Sequence, residues 1–507
     1  MPAEANRSRG AAGLSSPLAL SLVVTLLALA VRLYGLGDKP FWLDEILTLK
    51  RASLPLAELA LDSLRNRHYP TYFLLVRPFT SAGMNELVLR LPSAVFGALS
   101  VLVVTLAAGE LRGLRAGLVA GLLMALSPFE VQFGQEARSY ALISCLIMLA
   151  LWGLLRIKNA PEAAALPVTR PGSLRGAWAA YTLCTAAALL VQNIALPWLI
   201  VSNLAALAIV RAAASRRKEL LRNWMLSQAI ILLLWLPGFI VMLSINRGDV
   251  MSALRWVPAT TWENVWVIAG AVYLFRVSDL MTFMLLPAPL PGFGFAVAAM
   301  ALFGAWRLRH DPIALAVIGS AFLAMPIAIA VLTAYQPILV PRYLMWSTGP
   351  YFVLAGIGAA ALPTRFFTPA AAIAALGAAL SLAPYYTAET KPRWDHAAAY
   401  LADRARPNDV IVARGGLTEF VFRAFARRYH LDPAIPIFAW DPNESLRRAA
   451  EGKRAWIIYG RTGQGAIETE QEFRKRWTAF GEPAEEIRFG SHILMLRFDL
   501  DEEGGRS

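Results

Sequence analysis

Long apolar runs recur along the first three quarters of the 507-residue chain, and shorter polar segments separate them. A helix needs about 20 apolar residues to cross a bilayer, and these runs approach that length. The first run exceeds the roughly 7–15 apolar residues of a signal peptide, so we predict that it is a retained helix. The pattern predicts eleven transmembrane helices, at residues 15–36, 87–108, 114–133, 138–155, 177–192, 194–211, 224–245, 287–305, 312–333, 344–362 and 367–386.

The basic residues of the short connections indicate how the chain is oriented. Cytoplasmic loops are enriched in Lys and Arg. The connections on one side of the predicted membrane, together with the N-terminal tail, carry Arg7, Arg9, Arg112, Arg115, Arg156, Lys158, Arg211, Arg216, Arg217, Lys218, Arg222, Arg307, Arg309 and Arg365. This side is therefore predicted to be cytoplasmic, which leaves residues 37–86, residues 246–286 and the segment after residue 387 on the outer side.

The pattern changes after residue 387. Short β-branched runs such as "DVIVARG" and "RAWIIYG" alternate with amphipathic stretches such as "TEFVFRAFARRYH". This alternation is typical of βα units around a small sheet. We predict an α-helical polytopic membrane protein with a small C-terminal α/β soluble domain. Residues 1–386 form the transmembrane domain, with an outer loop at 37–86, and residues 387–507 form the outer α/β domain.

Composition agrees with a membrane protein and narrows its partners. The chain is 57% hydrophobic and 16% charged, whereas soluble domains average about 25% charged residues. The net charge is +13, but the basic residues are spread over loops without interleaved aromatics, so nucleic-acid binding is not indicated. Contacts with the lipid bilayer and with phosphate groups explain the excess of basic residues better than nucleic-acid binding does. Both cysteines, Cys145 and Cys184, lie in apolar runs, so neither a disulfide nor a cysteine metal site is predicted.

An acidic pair, Asp44 and Glu45, lies in "FWLDEILTLK" just after the first predicted helix. Large apolar residues flank the pair, so at least one carboxylate should be only partly hydrated. Such a carboxylate has a raised pKa unless a cation is near, which suits a general base or a metal ligand. The alternative is a solvated pair that favours a helix N-terminus. His68 lies in the same outer loop.

A second polar cluster lies in "SPFEVQFGQEARSYAL", at the outer end of the third and fourth predicted helices. Ionisable residues so close to apolar runs usually face a cavity or one another. A helix over 135–142 would place Glu136 and Tyr140 on one face, with Arg138 pointing elsewhere. The alternative is an interfacial cap in which Arg138 reaches the headgroups.

A third cluster is Arg342–Tyr343 in "YQPILVPRYLMW", on the same outer side. The arginine fork matches phosphate oxygens, and a tyrosine hydroxyl can donate beside it. An interfacial anchor is the alternative, because Tyr and Trp are common at this depth. Three clusters on one side favour chemistry on a substrate that is anchored by a lipid phosphate.

These motifs together resemble a known family. "FWLDE", "HYPTYF", "RLPSAVFGALSV", "SPFEVQFGQEARSYAL", "PRYL" and "KPRWDHAAAYLADRARPNDVIV" occur in the order typical of bacterial glycosyltransferase family 39-like proteins of the GT-C superfamily. This group includes the protein O-mannosyltransferases and the lipid A aminoarabinose transferase. The resemblance implies a multi-pass enzyme of the bacterial inner membrane whose active site lies on the periplasmic side. Such an enzyme moves a hexosyl or pentosyl group from a polyprenyl-phosphate donor to an extracytoplasmic lipid, polysaccharide or protein.

The resemblance also assigns expected roles. The acidic motif of the first outer loop falls on Asp44 and Glu45, with Asp44 as the preferred base for an inverting transfer, and the second acidic position falls on Glu136. The phosphate-binding positions, together with neighbouring substrate contacts, fall on Arg138, Tyr140, Arg342 and Tyr343. The family's His-Pro-Pro is His68-Tyr69-Pro70 here, so His68 is expected only to support the loop or to make a secondary contact.

Cofactors and alternatives stay open at this stage. A lipid-linked donor requires no nucleotide cofactor, and a divalent metal ion held by Asp44 and Glu136 is one option because hard cations prefer oxygen ligands. A lipid-linked glycan ligase or polymerase would share these motifs. A transporter or flippase would instead have ionisable residues near mid-span and repeated halves. A non-catalytic scaffold would tolerate replacement of Asp44 and Glu45.

Overall fold

Helices dominate the computed structural model, which describes residues 17–160, 174–246, 257, 259–279, 284–413, 416–439, 450–460, 469–477 and 481–500. The helices are α1 Pro17–Leu33, α2 Leu43–Ala52, α3 Leu56–Arg65, α4 Thr71–Val76, α5 Glu86–Arg112, α6 Leu114–Ala125, α7 Pro128–Gly134, α8 Tyr140–Lys158, α9 Leu174–Val191, α10 Leu196–Ala212, α11 Arg217–Ile245, α12 Trp262–Tyr273, α13 Phe293–Arg307, α14 Pro312–Thr333, α15 Met345–Ala360, α16 Thr364–Thr387, α17 Trp394–Arg404, α18 Gly416–Arg428 and α19 Glu470–Trp477. The strands are β1 Ser278–Asp279, β2 Met284–Leu285, β3 Val410–Ala413, β4 Ile437–Phe438, β5 Lys453–Gly460, β6 Glu485–Phe489 and β7 Ile493–Leu500.

The predicted membrane helices are present as helices, but their predicted count of eleven is not confirmed. Among the described residues, seven helices are long and apolar enough to cross a membrane: α5, α8, α9, α10, α11, α14 and α16. An eighth is added if α6 and α7 count as one bent span. Helices α1, α13 and α15 contain 17, 15 and 16 residues, which is shorter than the length that a typical bilayer requires. Arg7 and Arg9 lie outside the described residues. The chain is a multi-pass membrane protein.

The predicted continuous helix at 114–133 is broken, because α6 and α7 meet at an angle of 61°. Ser127 caps α7 and Pro128 starts it, so the helix from α6 cannot continue through this point. The buried Arg32 of α1 donates to the carbonyl oxygens of Ala125 at 3.2 Å and Met124 at 3.5 Å. Its guanidinium thereby satisfies carbonyl groups that the break leaves without intrahelical partners.

The segment after α16 forms a five-stranded mixed sheet in the order β4-β3-β5-β7-β6. β3 is parallel to β4 and β5, whereas β7 is antiparallel to β5 and β6. The two sheet faces bury alternate residues: Ile411, Trp456 and Met495 pack on the side of α17 and α18, and Val412, Ile457 and Leu496 on the side of α19. This alternation is the period of two that a strand imposes, and the sheet agrees with the predicted α/β pattern.

The sheet and the loop at 37–86 share one apolar core. Phe41, Leu43 and Ile46 at the start of α2 belong to the same buried cluster as Trp394 of α17 and the residues of α18. Helix α2 therefore lies between the membrane helices and the C-terminal α/β unit, and both groups of elements hold it in place. A separate domain boundary at 386/387 stays a prediction.

Candidate active site

Helix α2 carries both predicted carboxylates in its first turn. Glu45 is the third residue of the helix, and its side chain accepts the Trp42 backbone N–H at 3.4 Å, which caps the helix start. Adjacent residues on an α-helix point about 100° apart. Asp44 and Glu45 therefore cannot face the same cavity, and the fold gives each of them different surroundings.

Glu45 is completely buried, and its carboxylate has several donors. It accepts hydrogen bonds from Arg90 Nε at 2.7 Å and Arg90 Nη2 at 2.8 Å, from Lys391 Nζ at 2.8 Å and from Ala137 N at 3.0 Å. Burial alone would raise the pKa of Glu45, but Arg90 and Lys391 outweigh it and lower the pKa to about 2. The carboxylate is thus ionised, and it ties α2 to α5, to the bend after α7 and to the segment after α16.

Asp44 has a different environment, because its side chain is 18% exposed and two arginines flank it. Its Oδ2 atom lies 3.8 Å from Arg138 Nε and 3.8 Å from Arg342 Nη2. Both separations exceed hydrogen-bond length, so the guanidinium groups neutralise the carboxylate without occupying its acceptor positions. Arg138 Nη1 also donates to Thr48 Oγ1 at 3.3 Å, one helical turn further along α2. The structure brings Asp44, Arg138 and Arg342 together.

Aromatic rings surround the two arginines. The Arg342 guanidinium lies 5.6 Å from the ring centre of Trp42 and 5.8 Å from that of Tyr343, and the Arg138 guanidinium lies 5.9 Å from that of Tyr140. Burial raises the pKa of Tyr343 to about 12, so its hydroxyl stays protonated and able to donate. The clusters around Asp44, Arg138 and Arg342 therefore form one polar site with aromatic walls.

Glu136 lies beside this site, but outside a helix. Helix α7 ends at Gly134 and α8 begins at Tyr140, so the predicted helix over 135–142 is wrong and Glu136 does not share a helical face with Tyr140. The backbone bends here, and Glu136 lies in the interior next to Lys391, whose Nζ lies 4.0 Å from Glu136 Oε1. Neither Glu136 carboxylate oxygen has a hydrogen-bond donor among the described residues. Burial raises its pKa to about 7.

His68 contacts the edge of the site. Its ring packs edge-to-face on Phe73, with the ring centres 6.0 Å apart. Burial and the positive charges of Arg138 and Arg51 lower the pKa of His68 to about 3. The imidazole is therefore neutral at physiological pH. It is suited to hydrogen bonding and not to supplying charge for a phosphate.

Comparison with solved structures identifies the fold. ArnT from Cupriavidus metallidurans bound to undecaprenyl phosphate matches with a TM-score of 0.56 at 14% identity, over 94% of this chain and 97% of ArnT. The archaeal oligosaccharyltransferase AglB from Archaeoglobus fulgidus, in complex with an inhibitory peptide and a dolichol-phosphate, matches with a TM-score of 0.50 at 13% identity, over 83% of this chain and 64% of AglB. This chain therefore shares the overall fold of these two proteins. No protein-family model and no curated protein matches the sequence.

A metal site is less well defined in this structure than the arginine pair. Among the described residues, no three His, Cys, Asp or Glu side chains are grouped closely enough to hold a metal ion. Glu45 is already bound by Arg90 and Lys391, and Glu136 is next to Lys391. A divalent ion held by Asp44 and Glu136 stays a prediction.

Three cations of the site were not predicted from the sequence. Lys391 and Arg90 hold Glu45, and Lys39 donates to Tyr385 O at 2.6 Å, Thr390 Oγ1 at 2.8 Å and Ala388 O at 3.0 Å. Burial, with Lys391 and Arg90 nearby, lowers the pKa of Lys39 to about 7. A signal for Arg90 existed, because arginine inside an apolar helix usually pairs with an acidic group. Lys391 had no such signal, since its partner lies 346 positions earlier.

Proposed function

We propose that this protein is a membrane glycosyltransferase that moves a sugar from a polyprenyl-phosphate donor to an acceptor on the outer side of the membrane. One observation carries the proposal: the partly exposed Asp44 carboxylate lies between Arg138 and Arg342, 3.8 Å from each. The arrangement combines a proton acceptor with two phosphate-binding forks. The GT-C fold supports it, since its solved neighbours include ArnT bound to undecaprenyl phosphate and AglB with a dolichol-phosphate.

The proposed reaction is a single displacement with inversion. The acceptor hydroxyl attacks the anomeric carbon, a new C–O bond forms, and the bond from that carbon to the phosphate oxygen breaks on the opposite side. The acceptor proton passes to Asp44, and the electron pair of the broken bond leaves with the lipid phosphate. Positioned proton transfer of this kind contributes about 10²–10⁴-fold to a rate.

The remaining side chains take supporting roles in the proposal. Arg138 and Arg342 bind the donor phosphate and stabilise the negative charge that grows on it. The protonated Tyr343 hydroxyl donates a hydrogen bond to the same phosphate beside Arg342, while the rings of Tyr140 and Trp42 lie next to the arginines. Glu45 acts as a positioning residue for α2, because its oxygens are bound by Arg90 and Lys391.

A matched pair of substitutions tests Asp44. Asp44→Asn keeps the side-chain shape and removes the proton acceptor, so we expect transfer to fall by roughly 100-fold or more. Asp62→Asn is the control, because Asp62 is also a partly exposed acid of the same outer loop and pairs with Arg51 at 2.5 Å. Each variant is expressed in cells lacking the protein, and envelope glycans are analysed by mass spectrometry. Transfer near the wild-type rate in correctly folded Asp44→Asn protein would rule out the proposed base.

A further inference from the structure

A groove of about 660 Å³ lies between α2 and α18, away from the proposed active site. Its apolar lining includes Ile46 and Leu49 of α2, Phe420 of α18 and Met84. Ile46, Leu49 and Lys50 point roughly 140–240° around the helix axis from Asp44, at about 100° per residue. The groove is therefore on the opposite face of α2 from the arginine pair, and a ligand there would not occupy the donor site.

The groove is strongly basic. Lys50, Arg423, Arg427 and Arg428 line it. Arg428 pairs with Glu86 at 2.5 Å, and Arg423 pairs with Glu419 at 2.6 Å. Lys50 lies 5.1 Å from the Phe420 ring centre. Within the part of the chain that the structure describes, neither Lys50 nor Arg427 has a carboxylate within ion-pair distance. Two exposed positive charges are thus available to a ligand.

The position of the groove relative to the membrane limits what can occupy it. Met84 and Glu86 lie where α5, one of the membrane-crossing helices, begins. The groove therefore opens near the boundary between the hydrocarbon and the headgroups. An apolar lining beside cations at this depth is complementary to an amphiphile with a negative headgroup, because the anionic surface of a bilayer attracts interfacial Lys and Arg.

We propose that this groove binds a membrane lipid with a phosphate-bearing anionic headgroup. The headgroup lies between Lys50 and Arg427, and the start of the acyl chains packs on Ile46, Leu49 and Phe420. A bound lipid contacts α2 and α18 together, so it fastens the C-terminal α/β unit and the helix that carries Asp44 to the bilayer surface. The proposal is independent of the proposed transferase activity.

Lipid titration of the purified full-length protein tests the proposal. Phosphatidylglycerol is added to the protein in neutral detergent, and the thermal unfolding transition is followed. The double variant Lys50→Gln/Arg427→Gln is compared with wild type and with Arg404→Gln/Arg476→Gln, which removes two exposed cations of the C-terminal α/β unit outside the groove. Each interfacial cation contributes roughly fivefold to anionic-lipid affinity. We expect half-saturation to need about 25-fold more phosphatidylglycerol in the groove variant and less than twofold more in the control.

Four outcomes would overturn the proposal. The first is an equal response to phosphatidylglycerol in all three proteins, and the second is an equal response to phosphatidylcholine with the same acyl chains. In the third, inorganic phosphate at the same concentration stabilises the protein as well as the lipid does, which indicates an anion site without a lipid. In the fourth, light scattering shows a wild-type dimer that the groove substitutions dissociate, which indicates that a second copy covers the surface.

Discussion

Two neighbouring carboxylates at the start of α2 illustrate how side-chain surroundings separate residues of the same chemical type. Glu45 is enclosed by Arg90, Lys391 and a backbone N–H, whereas Asp44 keeps part of its surface accessible between two arginines. A buried ionised group is stable only when its charge is matched. At the residue scale, we therefore expect Glu45 to govern stability and Asp44 to govern activity.

The Glu45→Gln variant tests this separation. The substitution leaves Arg90 and Lys391 buried without the negative charge that both contact, which typically costs about 3–5 kcal/mol. We expect the free energy of unfolding to fall by about this amount, and by less in Asp44→Asn, because Asp44 is 18% exposed and lies 3.8 Å from each arginine without a hydrogen bond to either. Thermal and denaturant unfolding in detergent measure both values. Equal stability losses in the two variants would contradict the assignment.

The buried Glu136 predicts a pH dependence of stability. Its folded-state pKa of about 7 is above the usual value of a glutamate, so between about pH 4.5 and 7 the folded protein binds a proton that the unfolded chain has lost. Its contribution to stability is therefore present at low pH and is lost as the pH rises through 7. We expect Glu136→Gln to be more stable than wild type at pH 8, by up to about 3 kcal/mol, and close to it at pH 5.

The exposed Glu58→Gln provides the control for this measurement. It removes one carboxylate from the surface of α3 without touching a buried group. Between pH 5 and pH 8, the unfolding transition of Glu58→Gln should therefore shift by the same amount as that of wild type. If the stability gap between Glu136→Gln and wild type did not widen with pH, Glu136 would not be the group that titrates in this range.

At the element scale, the break between α6 and α7 depends on Arg32. The guanidinium needs room beside two glycines: a Cβ added at Gly97 would lie 2.7 Å from Arg32 Nε, and one at Gly134 would lie 2.9 Å from it. These separations are too short for real contacts, so larger residues would displace the arginine from the carbonyl groups of Met124 and Ala125. The break between α6 and α7 thus rests on a polar contact inside the helical bundle.

Gly97→Ala tests the contribution of that contact. The new methyl group pushes Arg32 away from the end of α6, and overpacking of this kind costs about 1–3 kcal/mol. Gly109→Ala is the control in the same helix α5, because a Cβ at Gly109 has nothing within 4 Å. Alanine is a better helix former than glycine, so this control should be neutral or slightly stabilising. Similar unfolding transitions for the two variants would show that the space beside Gly97 is not needed.

At the scale of the whole molecule, the C-terminal α/β unit and α2 form one core. Trp394 is fully buried beside Phe422, and a Cβ at Gly460 would lie 2.2 Å from its ring. Lys391 lies three residues before Trp394, and its Nζ donates to the Glu45 carboxylate in the first turn of α2. The sheet therefore supports the loop that carries Asp44, and a change in the sheet core should be felt at the proposed active site.

Trp394→Ala tests this coupling between distant parts of the chain. Removing a buried tryptophan costs about 3–5 kcal/mol, and we expect the substitution to lower both stability and sugar transfer. Trp306→Ala is the control, because Trp306 is 51% exposed and its loss should leave both nearly unchanged. Unfolding transitions and envelope glycan analysis give the two readouts. Full transfer activity in a destabilised Trp394→Ala protein would argue that the sheet does not support α2.

The sequence alone was sufficient for the features that depend on local composition and period. Apolar runs located the long helices α1, α5, α6, α8 to α11 and α13 to α16, because the hydropathy of a segment determines its membrane affinity. Alternating β-branched residues indicated the strands from β3 to β7. The motifs around Asp44, Arg138 and Arg342 also identified residues that the structure brings together, although their roles remain proposals.

Only the tertiary structure decided which carboxylate is enclosed and where the helices break. Lys391 reaches Glu45 across 346 positions, and Arg32 of α1 reaches Ala125 across 93. Sequence patterns report the preferences of neighbouring residues, whereas the burial and pairing of a charge depend on which distant segments pack around it. The predicted helix over 135–142 is wrong for a related reason. The segment bends between α7 and α8, and Glu136 and Arg138 lie beside Lys391 and Asp44, which belong to distant parts of the chain.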